Sequence, residues 1–362
     1  MERCSEKTTI QKMAVPMTLK PLATIKSSEL EKFTKKHKLP AFRARQILEW
    51  LFKNYELNPD NMLNLPLTLR ELLKKNFIYQ SSQVNENCAS SDKTTKLLIS
   101  LADGEAVEMV IIPSKDRITF CLSTQVGCPV SCRFCASGQN GLVRNLKSHE
   151  IIEQLYHGVA EIGRLPDNIV FMGIGEGLLN FENLAVALEI ITEPEYIGMS
   201  PRRITISTSG YVPGIYKLIK LNKPFILAVS LHAADEDTRA LLIPDKLRFP
   251  ISEILEACDA YENEIGRMVT FEYTLIAGIN ESTEAAKKLA KIALRHHAKV
   301  NLIPYNETNS EYKRPSEIDI FKFRDILEEA GVTVMLRLEK GAKVSAACGQ
   351  LRIKHLKEKA ND

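Results

Sequence analysis

Apolar and polar positions along this chain fall into two regimes. Up to about residue 80 the period is helical. The stretch "LPAFRARQILEWLFK" puts Phe42, Ile47, Trp50 and Leu51 on one face and Arg43, Arg45 and Lys53 elsewhere, and "LPLTLRELLKKNF" reads as a second short helix. A polar stretch, "NENCASSDKTT", follows, and beyond it the pattern turns to strands. "KLLISL" and "AVEMVIIP" flank Asp103-Gly104, a hairpin signal, and "RITFCLSTQ" comes next. From there strand-like runs ("NIVFMGIG", "RITISTSG", "FILAVSLH", "MVTFEYTLI", "KVNLIPY", "VTVMLRLE") alternate with amphipathic helices such as "SHEIIEQLYHGVAEIG" and "STEAAKKLAKIALRH".

Repeated strand–helix units predict an α/β fold with a parallel sheet and helices outside it. About six such units suit a closed or partial (β/α) barrel, whose chemistry gathers at the carboxyl ends of the strands. The expected division is a helical accessory domain over 1–85, a β-hairpin extension over 86–117, the barrel over 118–352 and a basic tail over 353–362, which takes in all of "RIKHLKEK" but its first residue.

Composition changes little in this picture. The chain is 44% hydrophobic and 26% charged over 362 residues, with 48 Lys+Arg against 45 Asp+Glu, so its net charge of +3 neither demands nor excludes a nucleic-acid partner. Local patches must decide. Lys35, Lys36, Lys38, Arg43 and Arg45 form a basic cluster that is either a solvated helix face or a phosphate-contacting surface. No apolar run approaches membrane-span length, and no secretory signal is expected. The eight cysteines are irregularly spaced, which suits a reducing cytoplasm and thiols used for metal or redox chemistry.

Three of those cysteines, Cys128, Cys132 and Cys135, sit within "CPVSCRFC", directly after the first barrel strand. Structural zinc normally takes four protein ligands, and catalytic zinc three with an open position, but no H-x-E partner motif is present. Thiolates also hold iron–sulfur clusters, and a cubane with three protein ligands keeps one iron open. The later strands end in polar residues: Gly173, Gly175 and Glu176 in "FMGIGEG", Ser207 and Ser209 in "ISTSG", Ser230 and His232 in "VSLHA". Singly these read as tight turns or caps. Cys121, in an apolar strand, reads alone as a small core residue. Cys348 lies among small residues in "VSAACGQL", where a large partner can approach its thiol.

The spacing C-x3-C-x2-C after a first barrel strand, with Phe134 before the last cysteine, resembles the radical S-adenosylmethionine (SAM) superfamily. "VEMVIIP", "CLSTQVGCPVSCRFCASG", "FMGIGEGLLN", "ITISTSGYVP", "LAVSLHA", "NLIPYN" and "AACGQL" occur in the order seen in its RlmN/Cfr family of RNA methyltransferases, a match running to Leu351. The resemblance implies a [4Fe–4S] cluster on Cys128, Cys132 and Cys135. It also implies SAM bound by Gly175, Glu176, Ser207, Ser230, Leu231, His232 and Asn306. Cys348 would carry a methyl group from one SAM, and a radical from a second would activate it for addition to an adenine carbon. Glu108 would remove the ring proton, and Cys121 would attack the sulfur of Cys348, leaving a transient disulfide. Without the resemblance, Glu108 reads as an exposed acid on a hairpin strand. The implied substrates are 23S rRNA, methylated at C2 of an adenosine, and the anticodon loop of some tRNAs. An external electron donor such as flavodoxin and a monomeric enzyme are also implied. A C8 methyltransferase of the Cfr type, a glycyl-radical activase and a non-enzymatic iron–sulfur or zinc RNA-binding protein are the alternatives. One departure from the family pattern is Gly177, where proline is common after the glutamate.

Overall fold

A computed structural model describes residues 3–6, 19–307 and 311–337. Cys348 and the basic tail lie outside the described residues. Strands β1 (Arg3–Glu6) and β2 (Lys20–Pro21) precede helices α1 (Ser27–Lys36), α2 (Phe42–Phe52) and α3 (Leu67–Asn76) and strand β3 (Phe77–Ile78). Then come β4 (Ser82–Ala89), β5 (Thr95–Leu101), β6 (Ala106–Ser114) and β7 (Arg117–Cys121), followed by the short strands β8 (Gln125–Gly127) and β9 (Leu142–Asn145). The remainder alternates: α4 (Ser148–Ile162), β10 (Asn168–Phe171), α5 (Phe181–Thr192), β11 (Ile204–Thr208), α6 (Val212–Lys220) and β12 (Ile226–Ser230). It continues through α7 (Glu236–Leu242), α8 (Ile251–Ile265), β13 (Thr270–Leu275), α9 (Thr283–Arg295), β14 (Lys299–Pro304), α10 (Glu317–Glu329) and β15 (Val334–Leu336).

Among the described residues the main sheet has 11 strands in the order β1-β4-β5-β6-β7-β10-β11-β12-β13-β14-β15. Pairing is antiparallel from β1 to β7 and parallel from β7 to β15. Among the described residues β1 and β15 end the order without meeting, so the sheet there is open, a partial barrel. The parallel strands are covered by helices, so β13 is buried along its whole length and reads as an unbroken run rather than an alternation. The Asp103-Gly104 turn forms as expected, with Gly104 at φ +88° and its N–H donating to the Leu101 carbonyl at 2.9 Å.

Three local readings need correction. The polar "NENCA" segment is part of strand β4, whose middle is only half-buried and therefore carries no apolar signature. Helix α6 was hidden by the proline in its first turn, and α7 by having only 7 residues. Phe42 does not join Ile47 and Leu51 in the core; it is 54% exposed at the start of α2, with the Arg43 guanidinium 4.8 Å from its ring centre.

The change near residue 80 is one of secondary structure, not a break in packing. Leu22, Leu30, Ile47 and Phe52 belong to the same apolar core as Phe120, Ile151 and Leu188. Polar ties cross the same seam: Tyr156 Oη donates to the Leu51 carbonyl at 2.6 Å, and Lys26 pairs with Glu189 at 2.9 Å. Buried Glu153 of α4 accepts from the Ser81 N–H and from the Ser81 and Ser82 hydroxyls, fixing the link between α3 and β4. Burial outweighs those bonds and pushes its carboxyl up to about 7.

Candidate functional site

The three clustered cysteines lie on a loop closed at its base by β8 and β9, where Gln125 pairs with Asn145 and Gly127 with Leu142. This clasp was not foreseen; the spacing of cysteines says nothing about it. The Cys128 N–H donates to the Gly141 carbonyl at 2.9 Å, and Cys135 N–H to the Cys132 carbonyl at 3.0 Å. Ser131 takes the left-handed conformation (φ 55°), and a Cβ on Gly138 would stand 2.9 Å from Ser131 Cα. The loop is thus wound as tightly as its backbone allows.

All three thiols face one cavity of about 770 Å³, in the usual range for a small-molecule site. Burial pushes Cys128 up to about 12 and Cys132 well above its ordinary value, with Cys135 and Glu176 adding to both. Three thiols on one loop, two of them strongly desolvated, form a donor set for soft metal centres, which would take them as thiolates. Among the described residues, no three His, Cys, Asp or Glu side chains converge on a single-ion site. A cubane asks for a different arrangement, one thiolate on each of three irons, and these cysteines fit it by number, loop and shared cavity.

The strand ends supply the rest of the wall. Gly175 sits at φ +110°, and a Cβ there would meet Gln125 Cβ at 2.6 Å, so only glycine allows this turn. The turn delivers Glu176, buried, with one carboxylate oxygen accepting from Leu178 N–H at 3.1 Å and the other from Ser209 N–H at 2.6 Å. Burial raises its pKa in spite of those bonds, and a cationic ligand beside it would favour the carboxylate form. Ser207, Ser230, His232 and Asn306 line the same space, as does Cys121 from the end of β7. Leu231 is fully buried beside them, and its N–H donates to the Glu272 carbonyl at 3.1 Å.

His232 is held in the left-handed region (φ 57°), an uncommon conformation for a histidine. Its Nδ1 accepts from the Thr274 N–H at 3.0 Å, which puts the proton of the neutral ring on Nε2. Burial pushes its pKa down to about 3, and Phe134 of the cysteine loop packs edge-on against it with ring centres 4.9 Å apart. The loop after β12 is braced by Asn280, which donates to the His232 and Thr274 carbonyls, and by fully buried Arg239, which donates to the Ser209 carbonyl at 2.7 Å. Neither brace was legible, since both look like ordinary helix and loop polar residues. Asn306 Oδ1 is buried with no hydrogen-bond partner among the described residues, an acceptor that a ligand in this cavity would satisfy.

Gly177 opens a short 3-10 turn, and a Cβ there meets nothing closer than 3.4 Å. Glu176 before it is extended (φ −94°, ψ 102°), the conformation a following proline prefers. The departure from the family pattern therefore leaves the Glu176 turn intact.

Glu108 is not an exposed acid: it is 2% exposed in mid-β6, on the same face as the cavity-lining Val110 and Ile112. It does not itself line the cavity. Cys121 is a buried thiol rather than half of a disulfide, so the pairing with Cys348 implied by the resemblance is not formed, and Cys348 lies outside the described residues. The cavity wall also holds Lys96, Glu272 and Arg337, none of which the sequence singled out. Burial pushes Glu272 up to about 7, against the pull of Arg337 and of Asn301, whose side chain donates to it at 2.7 Å. Lys35, Lys36, Lys38 and Arg45 are exposed on the helical module, and Arg43 is half-buried.

With this geometry in hand, comparison with known proteins is informative. The sequence model of the Radical SAM superfamily matches residues 122–290, and that of the ribosomal RNA large subunit methyltransferase N-terminal domain matches residues 21–78. A protein of Akkermansia muciniphila, named a probable dual-specificity RNA methyltransferase RlmN, is 43% identical over 350 residues, covering 94% of this chain and 98% of its own. The dual-specificity RNA methyltransferase RlmN of Campylobacter hominis is 41% identical over 341 residues, covering 88% of this chain and 94% of its own. The crystal structure of a radical SAM methyltransferase from Sphaerobacter thermophilus superimposes with a TM-score of 0.87 at 40% identity, covering 91% of this chain and 98% of that one.

Proposed function

Because this chain belongs to the RlmN family of radical SAM RNA methyltransferases, we propose that it methylates C2 of an adenosine in 23S rRNA and in the anticodon loop of certain tRNAs. The observation that carries this reading is the convergence on one cavity of Cys128, Cys132 and Cys135, of Glu176, Ser207, Ser230, His232 and Asn306, and of Cys121. Cys128, Cys132 and Cys135 hold a [4Fe–4S] cluster. Gly175, Glu176, Ser207, Ser230, Leu231, His232 and Asn306 hold SAM, with the Glu176 carboxylate suited to its ammonium. When bound, these groups supply the methyl and the radical that takes a hydrogen atom from it.

The remaining work falls to the chain. Cys348 carries the methyl carbon on its sulfur and delivers it to the base. Glu108, buried on the cavity face of β6, takes the proton from the substituted ring carbon. Cys121 then attacks the sulfur of Cys348, and the S–S bond forms as the bond from sulfur to the methylene carbon breaks. That carbon, leaving with the electron pair, takes a proton to become the methyl of the released RNA, so that a disulfide is left to be reduced. The burial of Cys121 keeps its thiol from solvent oxidants until the adduct reaches it. The exposed lysines of α1 and Arg45 contact RNA phosphates, so affinity falls steeply with salt. The enzyme acts as a cytoplasmic monomer with an external low-potential donor of the flavodoxin type.

The test is to give reconstituted, reduced enzyme and labelled SAM to unmodified rRNA fragment and to tRNA, and to locate the methyl by mass spectrometry. Label on C2 is expected; label on C8 would assign the chain to Cfr-type chemistry, and cleavage of SAM without RNA methylation would overturn the reading.

A further inference from the structure

Arg239 is a fully buried cation held by neutral groups. Its guanidinium donates to the Ser209 carbonyl at 2.7 Å, the Leu231 carbonyl at 3.3 Å and the Phe249 carbonyl at 3.5 Å, and no carboxylate is among these acceptors. Burial pulls its pKa down to about 10, which leaves it charged at neutral pH. Carbonyl dipoles meet its hydrogen bonds without cancelling its charge, and an uncancelled buried charge is costly. Nearby charged groups are engaged elsewhere: Glu236 is exposed and accepts from the Ile251 N–H at 2.6 Å, and Arg248 pairs with Asp245 at 2.5 Å. What Arg239 does adjoin is the cysteine loop. Leu242 and Ile243 follow it by one turn, with the Ile243 N–H donating to the Arg239 carbonyl at 2.9 Å. Both pack with Val130, Cys128, Cys132 and Phe134 in one apolar cluster, and the Arg133 N–H donates to the Leu242 carbonyl at 3.0 Å. On its other side, Arg239 holds the carbonyl of Leu231, next to His232, whose ring meets that of Phe134. Arg239 does not line the cavity; it stands behind the loop, and its charge favours the thiolate of Cys132.

We infer that Arg239 is the fixed counter-charge of the iron–sulfur centre on Cys128, Cys132 and Cys135, raising its reduction potential toward that of the electron donor. This rests on the proposed [4Fe–4S] assignment. An oxidised cubane with three thiolates carries one net negative charge, and the single electron it takes from a low-potential donor makes that charge two, with no other bond made or broken. In a pocket poor in water the added charge is weakly solvated. A cation fixed nearby therefore stabilises the reduced form more than the oxidised one, which raises the potential. A brace for three carbonyls could be built from uncharged donors. The charge itself is what the bracing role leaves unexplained.

The experiment is a redox titration followed by electron paramagnetic resonance, on the reconstituted full chain without SAM or RNA, in wild type, Arg239→Met, Arg239→Gln and Arg239→Lys. Iron content is measured for each protein. In Arg239→Met and Arg239→Gln, cluster reduction should be about ten-fold less favourable, a fall of about 59 mV for one electron, with most of it recovered in Arg239→Lys. The sign separates charge from bracing. A collapsed brace would admit water, which solvates the more negative reduced form and so raises the potential. If the neutral variants take up no iron, retention of the cluster in Arg239→Lys supports the assignment, because lysine restores the charge but not the planar fork. An unchanged or raised potential in iron-loaded Arg239→Met or Arg239→Gln would overturn it. Equal falls in all three variants, or loss of the cluster from all three, would do the same and leave Arg239 a brace. A wild-type protein that takes up no iron–sulfur cluster would instead strike the underlying reading of the three cysteines.

Discussion

The two walls of the cavity are built on different rules. On the parallel side, β10 to β14 end at the cavity, and their functional candidates sit in the turns that follow: Gly175 and Glu176, Ser209, His232, Asn306. On the antiparallel side, β5 and β6 run along the cavity: Lys96 near the start of β5 and Val110 and Ile112 of β6 line it, and Glu108 lies on the same face of β6 at the same two-residue spacing. Strand ends can change shape without disturbing the ladder, so the parallel wall suits the adaptable contacts proposed for the cofactor. Mid-strand residues are fixed by register to about the pleat repeat, so the antiparallel wall is suited to groups that must meet a reacting atom. Strand β7 joins the two walls, with Cys121 at its end.

The sharpest break between the walls should come from Cys132→Ala against Glu108→Ala. Loss of an iron ligand should abolish SAM cleavage and remove the iron absorption of the reconstituted protein. Glu108→Ala should cleave SAM normally and stall with RNA attached. Equal loss of SAM cleavage in both would erase the distinction. A smaller effect is expected within the parallel wall. Glu176→Gln removes the charge and, with one amide oxygen in place of two carboxylate oxygens, keeps only one of the two N–H contacts; it should weaken SAM binding by about ten- to a hundred-fold, the range for a charged hydrogen bond. Isothermal titration with the reconstituted protein reads this directly.

Away from both walls, Glu153→Gln tests the seam between helical module and barrel. Its folded pKa is raised to about 7 from an ordinary 4.5, so Glu153 contributes fully below about 4.5, and that contribution is lost as pH rises through 7. The glutamine variant lacks one acceptor for buried donors and should be less stable by about 1–3 kcal/mol at pH 5. Its deficit should narrow by about 1–3 kcal/mol by pH 8, where the wild-type carboxylate is ionised at a cost. A deficit independent of pH in denaturant melts would show that Glu153 titrates normally. The smallest effect is at Gly177. Proline there should stabilise by about 0.4–1 kcal/mol through the unfolded chain and leave SAM cleavage unchanged. Loss of SAM cleavage would show that the glycine is needed after all.

Legibility in the sequence followed the same divide. Alternating strands and helices with polar turns made the parallel half and its strand-end residues readable, because chemistry there interrupts an apolar run. In mid-strand a functional residue looks like any member of an alternation. Glu108 was readable only through family resemblance, and the place of Lys96 on the cavity wall not at all, since a lysine near a hairpin ordinarily marks the solvent side. Bracing residues such as Arg239 and Asn280 were hidden for another reason: their partners are carbonyls brought together only by the fold. The β8–β9 clasp was missed because Gln125–Gly127 is 3 residues long, too short for any period to show.

The central claim is that Cys348 carries the methyl group and Cys121 releases the product. Denaturing gels of labelled RNA after turnover test it most directly. Cys121→Ala should give a slowly migrating, protease-sensitive RNA–protein band, because the adduct forms but no thiol attacks its sulfur. Cys348→Ala should give none. If Cys121→Ala instead turns over at the wild-type rate with no shifted band, the methyl does not travel on Cys348 and the account is wrong.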